Sequence, residues 1–167
     1  MVLETARLRL RHLRADDSPF ILALVNDPDW LRFIGDRGVR TVEDARGYIE
    51  KGPMQMYSRL GFGLYLVELK DGTPIGMCGL IKRATLQDVD IGFAFMPAYR
   101  KQGYAQESAA AVRDYAIGEL GLERIVAITA PDNDASAKLL ERLGFAYERT
   151  IAWGDDGDSS RVFGFNA

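Results

Sequence analysis

The chain has 167 residues and a formal net charge of −3, which is enough for one domain with a sizeable core. A general nucleic-acid binder is usually basic, so this charge argues against one and slightly favours a cationic substrate or a basic partner. No apolar run approaches the roughly 18 residues of a membrane span, and the N-terminus lacks the apolar segment of a secretory signal. We therefore expect a cytoplasmic protein that binds neither nucleic acid nor a membrane.

The first half of the chain predicts one strand, several helices and a hairpin. Residues 7–13 alternate between apolar and polar side chains, as in a half-buried strand. Thr41 and Asp44 form a capping-box pattern, and Asp71 with Gly72 is a hairpin signal. In chain order we predict a strand at 7–13, a helix that follows Asp16 and Asp17 and ends near residue 25, and a loop or broken helix at 26–38. A helix at 41–49, a second helical piece that follows the interruption at 52–53 and ends at 59, and strands at 62–69 and 74–83 come next.

The second half of the chain alternates strands with helices. In chain order we predict a strand at 88–96, a helix at 105–120, a strand at 123–130, a helix at 134–143, and strands at 145–151 and 159–165. Because 88–130 is a strand–helix–strand unit, it should add one parallel pair to a mainly antiparallel sheet. With no linker-like tract, residues 1–167 are expected to form a single α+β domain with seven strands.

The sequence contains few residues that could form a metal site or a catalytic triad. His12 and Cys78 are the chain's one histidine and one cysteine, so a zinc site of the usual nitrogen and sulfur ligands cannot be assembled. We expect no metal. His12, at a strand end, is interpreted as structural, and the single cysteine fits a reducing compartment.

The stretch PAYRKQGYA, residues 97–105, joins a strand to a helix. The first N–H groups of a helix lack partners and carry partial positive charge, so such a junction can bind phosphate. Gly103 allows the tight turn, Arg100 and Lys101 add charge, and the small Ala105 leaves room for a ligand. A plain solvated loop is the alternative.

The flanking segments favour a ligand site. In strand 88–96, the bulky residues share one face, whereas Asp90 and its small neighbours share the other. That second face would leave space for an extended ligand. Downstream, Asn133 and Ser136 lie at another strand-to-helix corner, where either could instead cap the helix.

These segments together resemble the GNAT superfamily of acetyl-CoA-dependent N-acetyltransferases. Residues 100–105, RKQGYA, match its coenzyme motif [Q/R]-x-x-G-x-[G/A], and NDASAKLLERLGF matches its downstream segment. The stretches LETARLRLRHLRADD and NDPDWLRFIG are similar to the branch of RimJ and RimL, the ribosomal-protein N-terminal acetyltransferases. The resemblance implies a three-layer α/β/α fold whose mixed sheet splays open beside strand 88–96.

The resemblance also implies where acetyl-CoA binds. The backbones of Phe93 and Phe95 would pair with the pantetheine amides, and Asn133 would contact the same arm. Ser136 and Lys138 would lie along the coenzyme. The pyrophosphate would be held by the backbone amides of Arg100, Lys101, Gln102, Gly103, Tyr104 and Ala105.

The expected reaction is attack of a neutral amine on the thioester, which requires an acceptor for the amine proton. Asp90 is our first candidate for the base, directly or through water, although it could instead only orient ligands. Many relatives have Glu there, so the shorter Asp makes a bridging water more probable. Asp155 and Asp156 are weaker candidates.

The sequence departs from the family pattern at the proton donor for the departing thiolate. Many GNAT members place a tyrosine where this chain has Leu140. Ser136 is then the hydroxyl that the family pattern leaves near the thiol, and Tyr104 and Tyr147 are less favoured alternatives.

Apolar and aromatic residues of segments 26–38, 52–60 and 152–158 could form the acceptor pocket, although such residues are more often core. The candidates are Trp30, Phe33, Met54, Met56, Tyr57 and Trp153. The acceptor could be a protein N-terminal α-amine, an amino acid or a small-molecule amine, and the protein a monomer or homodimer. A catalytically weak acyl-CoA sensor and an interaction domain remain as alternatives.

Overall fold

The computed structural model describes residues 1–153 and 158–167, with only the backbone of Trp153 and Asp158. Its eight strands form one sheet in the order β1-β2-β3-β4-β5-β6-β8-β7. They are β1 (Leu3–Glu4), β2 (Leu8–His12), β3 (Leu64–Leu69), β4 (Pro74–Ile81), β5 (Asp90–Phe95), β6 (Arg124–Thr129), β7 (Ala146–Trp153) and β8 (Asp158–Asn166). The pairing of β5 with β6 is parallel, and the other described pairs are antiparallel.

Helices cover the two faces of this sheet. They are α1 (Ser18–Val25), α2 (Pro28–Phe33), α3 (Val42–Lys51), α4 (Pro53–Leu60), α5 (Tyr104–Gly118) and α6 (Asp134–Arg142). The capping box of α3 is present: the Asp44 N–H donates to Thr41 Oγ1 at 3.0 Å, and the Thr41 N–H donates to Asp44 Oδ2 at 3.2 Å. These bonds satisfy helix-terminal donors and fix the start of α3.

The two larger hydrophobic cores lie on opposite sides of the sheet and hold the layers together. On one side, α5 buries Ala109, Val112 and Ala116, and these small side chains allow the helix to lie close to the strands. On the other, α1 and α3 pack on the sheet through residues such as Leu24 and Ile49. The predicted α+β class and GNAT-like layered fold are confirmed.

The sheet has eight strands rather than the predicted seven. The additional strand, β1, has two residues, too few to show a periodic pattern. Part of the segment 26–38, predicted as loop or broken helix, forms the short α2, whose N-terminus is capped by the Asp27 carboxylate. The predicted parallel pair is confirmed as β5 with β6.

The described part of the chain contains no helix long and apolar enough to cross a bilayer. Cys78 is fully buried in β4, where burial raises the pKa of its thiol to about 12. His12 stacks on the Tyr57 ring at a centroid distance of 4.0 Å, which supports a structural role.

Candidate active site

The two parallel strands separate soon after they meet. β5 and β6 share one register pair, Asp90 with Val126, beside which the Val126 N–H donates to the Val89 carbonyl at 3.0 Å. Later residues of both strands line one cavity. We call this opening the β5–β6 gap, and it is the splay that the sequence resemblance implied.

The open edge of β5 presents backbone hydrogen-bonding groups to the gap. The Met96 N–H donates to the Ile75 carbonyl of the neighbouring chain segment. Because pairs in an antiparallel ladder alternate, Ala94 and Gly92 bond toward β4, whereas Phe93 and Phe95 direct their N–H and C=O groups toward β6. These groups have no β6 ladder partner in the described register. An extended ligand could pair with them, except with the Phe95 carbonyl, which accepts a hydrogen bond from Arg100.

A glycine loop, residues 100–103, lies between β5 and α5. Lys101 and Gly103 have positive φ angles of 62° and 85°. Gly103 is the N-cap of α5 and supplies no side-chain cap, so the first N–H groups of this helix are available to an anion. A Cβ at Gly103 would lie 3.2 Å from Arg7 Nη2 and would have to adopt a backbone conformation that L residues rarely take.

Arg7, just before β2, fixes this loop, and the sequence analysis did not predict its role. Its Nη1 donates to the Gln102 carbonyl at 3.0 Å, and its guanidinium lies 4.3 Å from the Tyr104 ring centroid. Its Nε also donates to Glu107 at 2.7 Å. Burial would raise the pKa of Glu107, but hydrogen bonds from Thr5 and Arg7 outweigh it, and the pKa is lowered.

The Arg100 side chain does not lie free beside the loop. It contacts Asp29, donates to Asp27 Oδ2 at 2.6 Å and to the Phe95 carbonyl at 3.0 Å. Its charge is therefore already balanced, and the expectation that both loop cations add charge for phosphate needs correction: Lys101, which is exposed, is the better placed of the two. The Gln102 amide is also engaged, donating to the Ala98 carbonyl at 2.7 Å.

A cavity of about 590 Å³ continues from the β5–β6 gap to α2, α3 and α4. Trp30 and Phe33, two of the candidates for the acceptor pocket, line this cavity, and Ala105 lines it beside the glycine loop. Met56 also contributes to the wall. The side chain of Trp153, and the whole of Asp155 and Asp156, lie outside the described residues.

Tyr57 was wrongly predicted as a pocket wall. Its ring stacks on His12 and also lies parallel to Tyr65, with ring centroids 4.0 Å and 5.7 Å away. Its hydroxyl accepts a hydrogen bond from the Leu13 N–H at 3.0 Å and donates to the Leu64 carbonyl. The side chain therefore joins α4 to the sheet, because an amphipathic helix turns one aromatic residue inward while its neighbour Met56 reaches the cavity.

Asp90 lines the cavity at the base of the gap and is only 2% exposed. Burial raises the pKa of its carboxyl, and this effect is opposed by Arg83, whose Nε lies 3.1 Å from Asp90 Oδ1. A carboxylate in this setting can accept a proton more readily than an ordinary aspartate. Asp90 therefore lies in the cavity with Arg83 as its described cationic partner.

The corner before α6 contributes two of its three predicted residues to the cavity. Asn133 and Ser136 both line it, and Asn133 Oδ1 also caps α6 by accepting from the Ser136 N–H at 3.2 Å. Capping and ligand contact are compatible, since the amide nitrogen of Asn133 is not used in this bond. Lys138 is exposed and lies outside the cavity wall.

The cavity wall includes polar groups that the sequence analysis missed. Thr129, at the end of β6, is 6% exposed, and its hydroxyl has no hydrogen-bond partner among the described residues. Arg37, Tyr48 and Arg83 also line the cavity. They come from three separate segments with no shared motif, so only the folded arrangement shows that they converge. Within residues 1–153 and 158–167, no cluster of metal-ligating side chains is found.

Comparison with known proteins defines the class to which this fold and cavity belong. The family described as acetyltransferase (GNAT) domain matches residues 7–146, and the chain belongs to that family. It is an acetyl-CoA-dependent N-acyltransferase.

Individual relatives agree with this assignment. YoaA of Bacillus subtilis, named an uncharacterized N-acetyltransferase, is 30% identical over 154 residues, covering 90% of this chain and 85% of YoaA. An acetyltransferase structure from Agrobacterium tumefaciens is 26% identical with a TM-score of 0.83, covering 99% of this chain and 94% of that one. RimL, the ribosomal L7/L12 α-N-protein acetyltransferase, solved with coenzyme A, shares the fold at 19% identity with a TM-score of 0.84, covering 99% and 97%.

Proposed function

We propose that this acetyltransferase moves an acetyl group from acetyl-CoA to a primary amine by direct attack within a ternary complex. One observation carries the proposal: the β5–β6 gap reaches the glycine loop and continues into the cavity that contains Asp90. Coenzyme and acceptor can therefore enter one continuous space from different sides.

The described residues fit an acetyl-CoA molecule. The open backbone groups of Phe93 and the N–H of Phe95 suit the amides of the pantetheine arm, and the N–H groups of residues 101–105 suit the pyrophosphate. Asn133 and Ser136 would contact the arm from α6. When bound, acetyl-CoA supplies the reactive thioester, and RimL provides a precedent for coenzyme binding in this fold.

Asp90 would accept the proton that the amine must lose. In the proposed step, the amine nitrogen forms a bond to the thioester carbonyl carbon, the carbon–sulfur bond breaks, and the amine proton passes to Asp90 directly or through water. Burial of Asp90 raises the pKa of its carboxyl toward that of the amine, which favours this transfer. Arg83 would orient the carboxylate through its contact at 3.1 Å.

Ser136 or Thr129 would donate a hydroxyl proton to the departing thiolate. Both hydroxyls belong to residues that line the cavity, and that of Thr129 has no partner within the described part of the chain. The other candidates have less support. Tyr104 packs under Arg7, and Tyr147 is 54% exposed and bonds to Thr150.

The acceptor belongs to the amines considered above, and the RimJ/RimL branch is proposed from the N-terminal sequence and the shared fold of RimL. An α-amine, with a pKa of about 8, loses its proton more easily than a lysine side chain at about 10.4. We therefore place protein N-termini and amino acids ahead of simple alkylamines.

The test is a screen of peptides, amino acids and polyamines, read by release of free CoA. Once an acceptor is found, initial rates are measured while both substrates are varied. Intersecting double-reciprocal lines are expected for a ternary complex, whereas parallel lines would contradict direct attack. Tight acetyl-CoA binding without turnover on any amine would favour the sensor alternative.

A further inference from the structure

Two guanidinium groups and a phenol converge on the part of the cavity wall formed by α3 and its neighbours. Arg37, Tyr48 and Arg83 all line it. Burial raises the pKa of Tyr48, and the charges of Arg37 and Arg83 oppose that rise. The hydroxyl of Tyr48 has no hydrogen-bond partner in the described residues, and it can therefore donate to a ligand.

The acids of the cavity wall are already paired. Asp27 and Asp29 contact Arg100, and Asp90 contacts Arg83. These are the carboxylates that line the cavity within the described residues. Each of them therefore contacts an arginine, and Asp27 and Asp29 share Arg100.

The cations of the same wall are less fully compensated. Arg37 is exposed and has no ion pair in residues 1–153 and 158–167. Arg83 contacts Asp90, whereas Arg37 contributes a positive charge that no carboxylate of the described residues pairs with. This excess of positive charge is opposite to the expectation from the net charge of the chain, which slightly favoured a cationic substrate.

We infer that the acceptor is an amine that also carries a carboxylate, and that Arg37 and Tyr48 bind this carboxylate. A guanidinium offers paired donors that match a carboxylate. Arg83 adds positive electrostatic potential to this part of the cavity while it stays in contact with Asp90. The inference rests on the proposed function, because it assigns the substrate class of the same cavity.

The carboxylate could belong to a free amino acid or to an acidic side chain of a peptide. The test compares matched acceptors: amino acids, their carboxamides, the corresponding decarboxylated amines, and peptide amides with either Asp or Asn at the second position. We expect each carboxylate form to exceed its neutral partner in kcat/KM by at least about tenfold, the usual scale for a charge-assisted contact. The free and peptide series separate the two sources.

Two variants assign the effect to the cavity wall. Arg37→Gln should raise KM for the carboxylate acceptor by about tenfold and leave its carboxamide and the KM for acetyl-CoA unchanged. The control is Arg46→Gln, an exposed arginine of α3 outside the cavity wall, which should behave as wild type. Tyr48→Phe should show a smaller loss limited to carboxylate acceptors.

Binding of each acceptor to the CoA-loaded enzyme is measured by calorimetry alongside turnover. Failure of all amines to react would count against the proposed function, whereas the binding data would still decide the present inference. Equal affinity for carboxylates and carboxamides, stronger binding of polyamines, or an equal effect of Arg37→Gln on charged and neutral acceptors would overturn it.

Discussion

The coenzyme side of the cavity and the acceptor side differ in the groups that they offer to a ligand. The coenzyme side, β5 with residues 100–105, offers mainly backbone N–H and C=O groups. The acceptor side, α2, α3 and residues 34–38, offers side chains from separate segments. A backbone site requires one chain geometry, and it is therefore concentrated in a short stretch of sequence. A side-chain site can change its residues without changing the fold.

The largest expected effect comes from a substitution that disrupts the coenzyme side of the cavity. Gly103→Val should abolish measurable acetyl-CoA binding, because a branched side chain at φ 85° is strained and would crowd Arg7. Gly72→Val is the matched control: Gly72 has a φ of 91° in the β3–β4 turn with open space around it. Calorimetry should find binding retained in the control, and normal binding by Gly103→Val would contradict the assigned site.

The next prediction concerns the point where the two sides meet. Asp90→Asn should lower kcat by about 100-fold near pH 7, the lower range for loss of a general base, with acetyl-CoA affinity nearly unchanged. Asp88→Asn is the control, since Asp88 pairs with Arg124 outside the cavity wall.

The pH dependence of the same variant sharpens the assignment. The base must be ionised, and burial raises the pKa of Asp90, so wild-type kcat/KM should fall as the pH drops through that raised pKa. In Asp90→Asn this limb should be absent, and activity should partly return at high pH as more of the amine becomes neutral. A kcat near wild type with an unchanged pH profile would remove Asp90 from the proposed role.

A smaller effect is expected where Arg7 supports the glycine loop from outside. Arg7→Gln should weaken acetyl-CoA binding by about five- to tenfold, since a hydrogen bond to a charged group is worth roughly 1.5–3 kcal/mol and only part of it reaches the ligand. Arg9→Gln, which removes an ion pair with Glu4 on the neighbouring strand, should bind normally. Equal losses in the two variants would contradict the assigned support.

The Arg7 contact also predicts a pH effect on stability. The pKa of Glu107 is lowered from its ordinary value of 4.5, so its contribution is present above that value and is lost as the pH falls through the lower, folded-state pKa. Urea unfolding should therefore find wild type more stable than Arg7→Gln at pH 7, with the difference shrinking in acid. A difference that grows in acid would contradict this reasoning.

The smallest effect tests the two cations of the loop against each other. Because Arg100 is paired with Asp27 and Asp29, Lys101 should account for most of the side-chain attraction to the phosphates. Lys101→Met should weaken acetyl-CoA binding by about threefold and reduce its salt dependence, as for an exposed ion contact. Lys51→Met, at the end of α3, is the control. Unchanged salt dependence in Lys101→Met would point to the backbone alone.

The same contrast explains what could be predicted from the sequence. Period-two and helical patterns predicted the strands, most of the helices and the parallel pair. Gly103 indicated the loop, because few residue types other than glycine adopt a positive φ angle. β1 was missed because two residues carry no pattern. Tyr57 was misplaced because an aromatic residue on a short amphipathic helix can face either the sheet or a cavity. Arg7, Arg37 and Thr129 could not be identified, since their roles depend on contacts between distant segments.

Hydrogen exchange of the β5 backbone amides tests the central claim, that acetyl-CoA lies in the β5–β6 gap, most directly. With saturating acetyl-CoA, exchange at Phe93 and Phe95 should slow strongly, because their N–H groups face the gap. Exchange at Gly92 and Ala94, which already bond toward β4, should change little and serves as the internal reference. Unaltered exchange at Phe93 and Phe95 while calorimetry shows the coenzyme bound would contradict the account.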